Sequence, residues 1–486
     1  MNLKKQEGDK TEKITFPEPD EVLKEKPSLK KYLKYLLFFG PGAVIASVTI
    51  GQGQLILGPQ IGAWAGPRLL WLITINIASY IIAYISCRYT LITGLNVMDV
   101  FSTKLKGLIN LIFIAIIVIF VPIFAGTIIT SLGQVLSWSF GFGDYLIWGI
   151  IFGVFAAVLA VVGRYRLLEY TQLFFVIVLA VGAIISVALI PNLNLSEIIP
   201  HFFTIGDFPK YPEWVLEMGE NTKPIPLLIL GYVGTLTITI ITLISYASWV
   251  KVKGWGIFKG KDDPEKLSRR LFSIFVKSGK VNYLPKDRKE IKKAKLLTTP
   301  ILVDLALAFI FVSIASTAYM LAGAYLLGPR HEIPTDIDLI KKQAIIFSNI
   351  APWLKPLYQI SVFFAFFGTI YGGFEAASRM LYETSKNLFG FVAKLEYRKF
   401  LQYFLIYVIA LGVPLAILMR FGLSVIVMLS ITLLFIGVIG VIIYGIGTLY
   451  INYVTLPKEY RPGPVLFSLG IISIILLIVP FFSFIA

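Results

Sequence analysis

Cysteine and histidine are nearly absent. Cys87 is the single cysteine in 486 residues, which excludes an intramolecular disulfide and a cysteine metal cluster. The two histidines, His201 and His331, lie outside the apolar runs, so a histidine proton relay or metal site within a membrane is excluded too. Charge is also scarce. Only 15% of residues are Asp, Glu, Lys or Arg, against 57% hydrophobic, and mean hydropathy is +0.80. A soluble protein is not that apolar, and the chain reads as an all-α polytopic membrane protein. Acids are the scarcer charge, 28 against 44 Lys and Arg, for a formal +16. The basic residues gather in the connections between apolar runs, as topology signals do, so no nucleic-acid partner is expected. No nucleophile–base set and no cofactor motif occurs, and the reading is neither an enzyme nor a cofactor protein. The first thirty or so residues are polar, which argues against a cleavable signal.

Apolar runs of the roughly 20 residues a span requires predict eleven helices, at about 35–64, 67–92, 108–138, 145–163, 168–190, 225–250, 296–328, 356–387, 400–420, 423–450 and 464–485. Residues 1–34, rich in Lys and Glu with Pro17 and Pro19, read as a mostly disordered tail with room for a short surface helix at its end. With that tail in the cytoplasm, the inside connections hold Arg88, Lys104, Lys106, Arg164, Arg166, segment 251–295, Lys386, Lys394, Arg398, Lys399, Lys458 and Arg461. This is a consistent positive-inside pattern. Eleven spans then leave the C-terminus outside, in a multi-pass protein of the plasma (cell inner) membrane. Segment 251–295 carries 15 Lys and Arg against 5 Asp and Glu and reads as a solvated tether. Within it, Glu265–Lys277 places Leu267, Leu271, Phe272 and Phe275 on one side, a piece suited to anionic lipid.

The first span, within GPGAVIASVTIGQGQLILGPQIGAWAGPRLLW (Gly40–Trp71), carries Gly51-Gln52-Gly53-Gln54 near its middle. Two glycines beside glutamines invite the helix to open. Lipid cannot satisfy the freed backbone groups, so the opening must face protein, water or a solute. The sixth span begins GYVGTLTITIITLISYASW, where Gly231 and Gly234 precede Thr235, Thr237, Ile238, Thr239 and Thr242. Interrupted helices at corresponding positions of two five-helix halves, 35–190 and 225–450, point to an inverted repeat with a site between them. The eleventh helix, 464–485, stands outside the repeat. A kink at a tight crossing is the plainer reading of the glycines. Threonines that bond their own helix are the plainer reading of the rest.

Ionisable residues within spans are few. Asp304 lies early in the seventh. Glu375 and Arg379 lie four apart in the eighth, on one face, as a buried ion pair or as a coupling or gating pair.

Residues Gly40-Pro41, Ala46, Ile50, Gly53, Gln60, Gly62-Ala63, Gly66 and Leu69-Leu70-Trp71 resemble, without a gap, the first helix and second-helix entry of the Nramp divalent-metal transporters. Asn76, Thr93-Gly94, Gly126-Thr127 and Arg166-Leu167-x-Glu169 fit later helices, so the resemblance spans about 36–450. It implies a LeuT-type fold, with a site between helices one and six and a metal-ion cargo. The family's first-helix motif is Asp-Pro-Gly-Asn, and Gly51, Gln52 and Gln54 stand at the Asp, Pro and Asn positions. The family's sixth-helix Met-Pro-His falls near Ile238-Thr239-Ile240, and its third-helix acids near Phe120–Phe124. A dehydrated Mn²⁺ or Fe²⁺ wants an anionic or soft ligand. Neutral oxygens suit a partly hydrated Mg²⁺ better. Gly51-Gln52-Gly53 also resembles the Gly-x-Gly break of amino-acid transporters of the same broad fold, where backbone N–H groups at a half-helix start donate to a carboxylate. The expected substrate site is Gly51, Gln52, Gly53, Gln54, Gly234, Thr235, Thr237, Ile238, Thr239 and Thr242, with Glu375, Arg379 and Asp304 in coupling or gating. Three functions stay open: metal transport, transport of a neutral or zwitterionic solute, and a non-transporting receptor. The residues do not name a coupling ion.

Overall fold

The computed structural model describes residues 13–163, 165–190, 193–218, 222–333 and 354–485, apart from the side chains of Gln52, Ser186 and Leu354. Among them, ten helices are long and apolar enough to cross a membrane. An eleventh is reached if Leu29–Phe38 and Pro41–Thr49, bent by 68°, form one span. The first helix runs Pro41–Thr49, opens at Ile50–Gln54 and resumes as Leu55–Ala65. The second to fifth follow at Trp71–Thr93, Leu108–Phe140, Tyr145–Val162 and Tyr165–Ala188. The sixth is broken into Ile225–Leu236 and Ile240–Val252. The seventh to ninth are Thr299–Ala322, Leu354–Ser385 and Tyr397–Arg420. The tenth covers Val425–Leu433, a wider turn at Leu434–Ile439, and Gly440–Thr455. The eleventh begins at Pro464–Ile478.

The fourth helix shows why these runs fold against one another inside lipid. Beyond Leu146 its buried face is small: Gly149, Gly153, Ala156, Ala157 and Ala160. Its large apolar residues, Ile147, Ile151, Val154, Phe155 and Val158, point outward. Small residues allow close helix approach, and lipid accepts the bulky ones. The third, fourth, eighth and ninth helices pack into one group. The broken first helix is the hub between that group and the rest, touching the fifth, sixth, seventh and eighth.

Two segments differ from the sequence reading. Within the expected disordered tail, residues 13–34 are ordered, while 1–12 lie outside the described residues. Ile14 N donates to Tyr283 O at 3.0 Å, Phe16 N to Glu290 Oε2 at 2.7 Å, and Lys293 pairs with Glu18 at 2.7 Å. The tail is thus a strap laid on segment 251–295, its partners too distant in sequence to be anticipated. That segment is itself folded rather than a tether. It holds helices Pro264–Ser278 and Arg288–Leu296, each started by an aspartate cap, Asp263 and Asp287. Leu271 and Phe275 are buried, and Ser268 and Tyr283 bond the backbone of Gly94 and Thr93 at 2.7 Å each. The apolar face that suited lipid is therefore turned into protein. The end of the bundle that carries strap and insert is called the basic end below.

Candidate functional site

The two breaks lie side by side. Both half-helices of the first helix stay helical because only Gly53 departs, at φ 179° and ψ −11°. A Cβ on Gly53 would strike Thr235 Cγ2 and lie 3.2 Å from Leu433 Cδ1. Gln54 is fully buried; its Nε2 donates to Thr235 O at 3.4 Å, and its Oε1 accepts from Ser316 Oγ at 2.7 Å. The glutamine thus ties the first break to the sixth and seventh helices.

In the sixth helix the opening falls at Thr237–Thr239, with ψ of 150° and 157° at those two threonines. It does not fall at Gly231 and Gly234, where the sequence placed the interrupted start. Those glycines serve packing. A Cβ at Gly231 would meet Ser430 Cβ at 2.6 Å, one at Gly234 would strike Leu433 O, and one at Gly437 would meet Gly234 Cα at 2.6 Å. The sixth and tenth helices cross with backbones nearly touching. Several groups at the true break have partners. Ile238 N donates to Ser79 Oγ at 3.1 Å, Thr237 Oγ1 to Gly437 O at 2.7 Å, and Thr242 Oγ1 to Thr239 O at 3.1 Å.

The structure thus brings together Gly51, Gly53, Gln54, Thr235, Thr237, Ile238, Thr239 and Thr242, all buried. The Gln52 side chain lies outside the described residues. A cavity of about 20 Å³, lined by Val48, Thr239, Thr369, Gly373 and mostly apolar neighbours, opens beside the breaks. It has room for one water at most. Buried hydroxyls of Thr49 and Thr432 have no partner among the described residues. No group of three or more His, Cys, Asp or Glu able to hold a metal occurs among the described residues. The sequence missed Thr369, whose Oγ1 donates to Val48 O at 3.1 Å, and Ser79 and Ser316. Their only signal is a hydroxyl inside an apolar run.

The three expected coupling residues lie elsewhere. Asp304 is fully buried and caps the start of the first helix: Oδ1 accepts from Gly40 N at 2.8 Å, and Oδ2 accepts from Gly42 N at 2.7 Å and from Tyr246 Oη at 2.8 Å. A carboxylate there satisfies orphan N–H groups and the helix dipole. It stands roughly 12 Å along the helix from Ile50. Glu375 and Arg379 do pair, at 2.5 Å. Trp249 Nε1 and Tyr397 Oη donate to the same carboxylate at 2.7 and 3.2 Å, and Arg379 stacks 4.3 Å from the Tyr397 ring centre. The pair lines a cavity of about 330 Å³ with Gly163, Tyr371 and Arg398, roughly 9 Å along the eighth helix from Thr369.

At the basic end the charges that looked like topology signals form a network. Lys251 pairs with Glu265 at 2.5 Å and with Glu383 at 3.4 Å. Lys386 pairs with Glu383 at 2.8 Å, Glu265 at 3.1 Å and Asp99 at 3.9 Å. The side chains of Lys251, Lys386, Glu383 and Asp99 are each at most 9% exposed. Burial pushes the Glu265 carboxyl up, but Lys386 and Lys251 beside it win and hold it well below the usual carboxylate range. Burial pushes the Asp99 carboxyl up, against the pull of Lys386. The network joins the second–third connection, the sixth helix, the insert and the eighth helix.

Two broken helices meeting inside a bundle of helices long enough to cross a membrane have a LeuT-type membrane transporter architecture. A family model described as natural resistance-associated macrophage protein-like (Nramp) matches residues 42–485, and the chain belongs to that family. Its structure is similar to the manganese transporter of Eremococcus coleocola in complex with an aromatic bis-isothiourea compound, with a TM-score of 0.66 at 13% identity, covering 94% of this chain and 87% of that one. A single-site mutant of the same transporter gives a TM-score of 0.67 at 11% identity, covering 94% and 88%. No curated protein matches the sequence.

Proposed function

We propose that this Nramp-type secondary transporter takes its cargo between Ile50–Gln54 and Thr237–Thr239 and releases it by alternating access. The observation that carries this is the juxtaposition of the two breaks, tied through Gln54, with a cavity of about 20 Å³ beside them. The basic end is taken as cytoplasmic, which the enrichment of lysine and arginine there supports. The bundle then sits in a cell's inner membrane with the N-terminal strap inside, and the Lys251–Lys386 network closes the inner side. The exposed basic face of Pro264–Ser278 is suited to anionic headgroups, although its apolar face is occupied.

Family membership supports a divalent cation as cargo, and the neutral oxygens at the breaks support one carried with part of its water shell, Mg²⁺ rather than Mn²⁺. A second reading rests on one observation: no ionisable side chain occurs in residues 44–54 or 235–245. An uncharged site suits a neutral or zwitterionic organic solute, to whose carboxylate half-helix N–H groups can donate. Uptake into proteoliposomes decides between them. Saturable Mg²⁺ uptake, weakened by Gln54→Ala, supports the cation. Uptake of a labelled amino acid with no response to Mg²⁺ or Mn²⁺ supports the solute. No uptake from a panel of both would sink the transport reading.

A further inference from the structure

The cavity of about 330 Å³ beside Glu375 and Arg379 has walls of two kinds. One is apolar: Ala160, Val161 and Val162 at the end of the fourth helix, with Leu168 and Leu401. The other carries Tyr165, Tyr371, Arg379 and Arg398. Glu375 lines it too, but that carboxylate is already met by Arg379, Trp249 and Tyr397. Two groups are left over. The Tyr165 hydroxyl is buried with no hydrogen-bond partner among the described residues, and its ring stacks on Trp249 with 6.4 Å between centres. Arg398 is exposed and pairs with no carboxylate among the described residues. Close to these two in sequence, Arg166, Lys394 and Lys399 are exposed as well, against one exposed acid, Glu396.

A phenol hydroxyl both donates and accepts, so Tyr165 alone does not choose the charge of a ligand. A guanidinium only donates and stays charged, and two of them line the cavity against one carboxylate. That balance favours an anion rich in acceptors and disfavours a metal ion. A cavity of this size takes a headgroup rather than a whole lipid. The apolar wall shows where the rest of the ligand lies. Val162 is 64% exposed, and Val158 and Val154 continue its face of the fourth helix in steps of four, at 52% and 42%. Together they offer lipid about 12 Å of apolar helix leading into the cavity. A soluble anion gains nothing from such a wall, whereas an acyl chain does. Basic clefts between helices at a membrane boundary are suited to phospholipid heads.

We propose that this cavity receives the phosphate of an anionic phospholipid from the leaflet at the basic end, with an acyl chain along Val154, Val158 and Val162. Tyr165 and Arg398 hold the phosphate. The occupied cavity braces Glu375 and, through Trp249, the second half of the broken sixth helix.

The test is binding of tritiated phosphatidylglycerol to the delipidated full-length protein in a neutral detergent, without cargo. Saturable binding is expected. Unlabelled phosphatidylglycerol should displace it, while diacylglycerol, which lacks the phosphate, and inorganic phosphate, which lacks the chains, should not. Arg398→Gln and Tyr165→Phe should each weaken binding at least about tenfold, and Arg398→Lys should recover part of the loss. Arg398 is exposed, so its variants should elute and melt with the wild type. Lipid held on the basic face of Pro264–Ser278 is an equal background in every variant. No saturable binding by the wild type, or binding that neither Arg398→Gln nor Tyr165→Phe alters, would overturn the proposal. So would full displacement by inorganic phosphate, which would make this a site for a free anion. Cargo plays no part, so each of these failures leaves the transport reading untouched.

Discussion

At the basic end, Lys251, Lys386, Asp99, Glu265 and Glu383 crowd within ion-pair reach of one another. At the helix breaks, from Val44 to Gln54 and from Thr235 to Ser245, no ionisable side chain occurs. The two regions meet on the sixth helix, where Thr237 and Lys251 are 14 residues apart in sequence. Their difference separates two tasks. Paired charges at a membrane boundary can part when water enters, because water replaces what each ion loses. They suit a latch that opens. Neutral oxygens at mid-membrane bind weakly and release readily, which suits a place where a cargo stops briefly.

The largest effect should come from the neutral region. Gly53→Leu forces a side chain into Thr235 and Leu433 and should cut uptake in proteoliposomes more than about 100-fold, with the protein still eluting as a folded species. Overpacking of this kind costs about 1–3 kcal/mol, which a large bundle can absorb. Retained uptake would remove the first break from the pathway and dissolve the comparison.

Next is the latch. Lys251→Met removes one of the two lysines paired with buried Glu383 and should lower stability by about 3 kcal/mol, read as a fall in melting temperature. It should also expose the inner side to a cysteine-labelling probe. An unchanged melting temperature would mean that the network is decorative.

The smallest effect is pH-dependent. Glu265 is held below its ordinary range, so its contribution is fully present above the unfolded carboxylate value and is lost as pH falls through the lower folded value. Glu265→Gln should therefore destabilise by about 1 kcal/mol near neutrality and converge with the wild type at strongly acid pH. A difference that persisted in acid would mean the loss is one of packing rather than charge.

The spans were legible because lipid demands about 20 apolar residues in a row, and the first break was legible because Gly51 and Gly53 flank a glutamine inside such a run. The sixth break opens three residues beyond Gly234, not at the glycines, for a physical reason. Gly231 and Gly234 carry the same signal as a break, but their role is to admit the tenth helix, and the residues that open are threonines. What stayed illegible is long-range. Nothing near Lys251 in sequence names Glu383, nothing near Phe16 names Glu290, and Arg398 reads as one more topology charge until Tyr165 is set across a cavity from it.

Asp304 has a mechanical consequence. Its one carboxylate holds the leading end of the first helix through Gly40 and Gly42 and the second half of the sixth through Tyr246. Those two half-helices and the start of the seventh are in effect riveted at a single point. A tilt imposed on one must be transmitted to the others, with the open turns at Gly53 and Ile238 as fulcrums. The half-helices then swing as one lever, and the short side chain of an aspartate sets how little play that lever has.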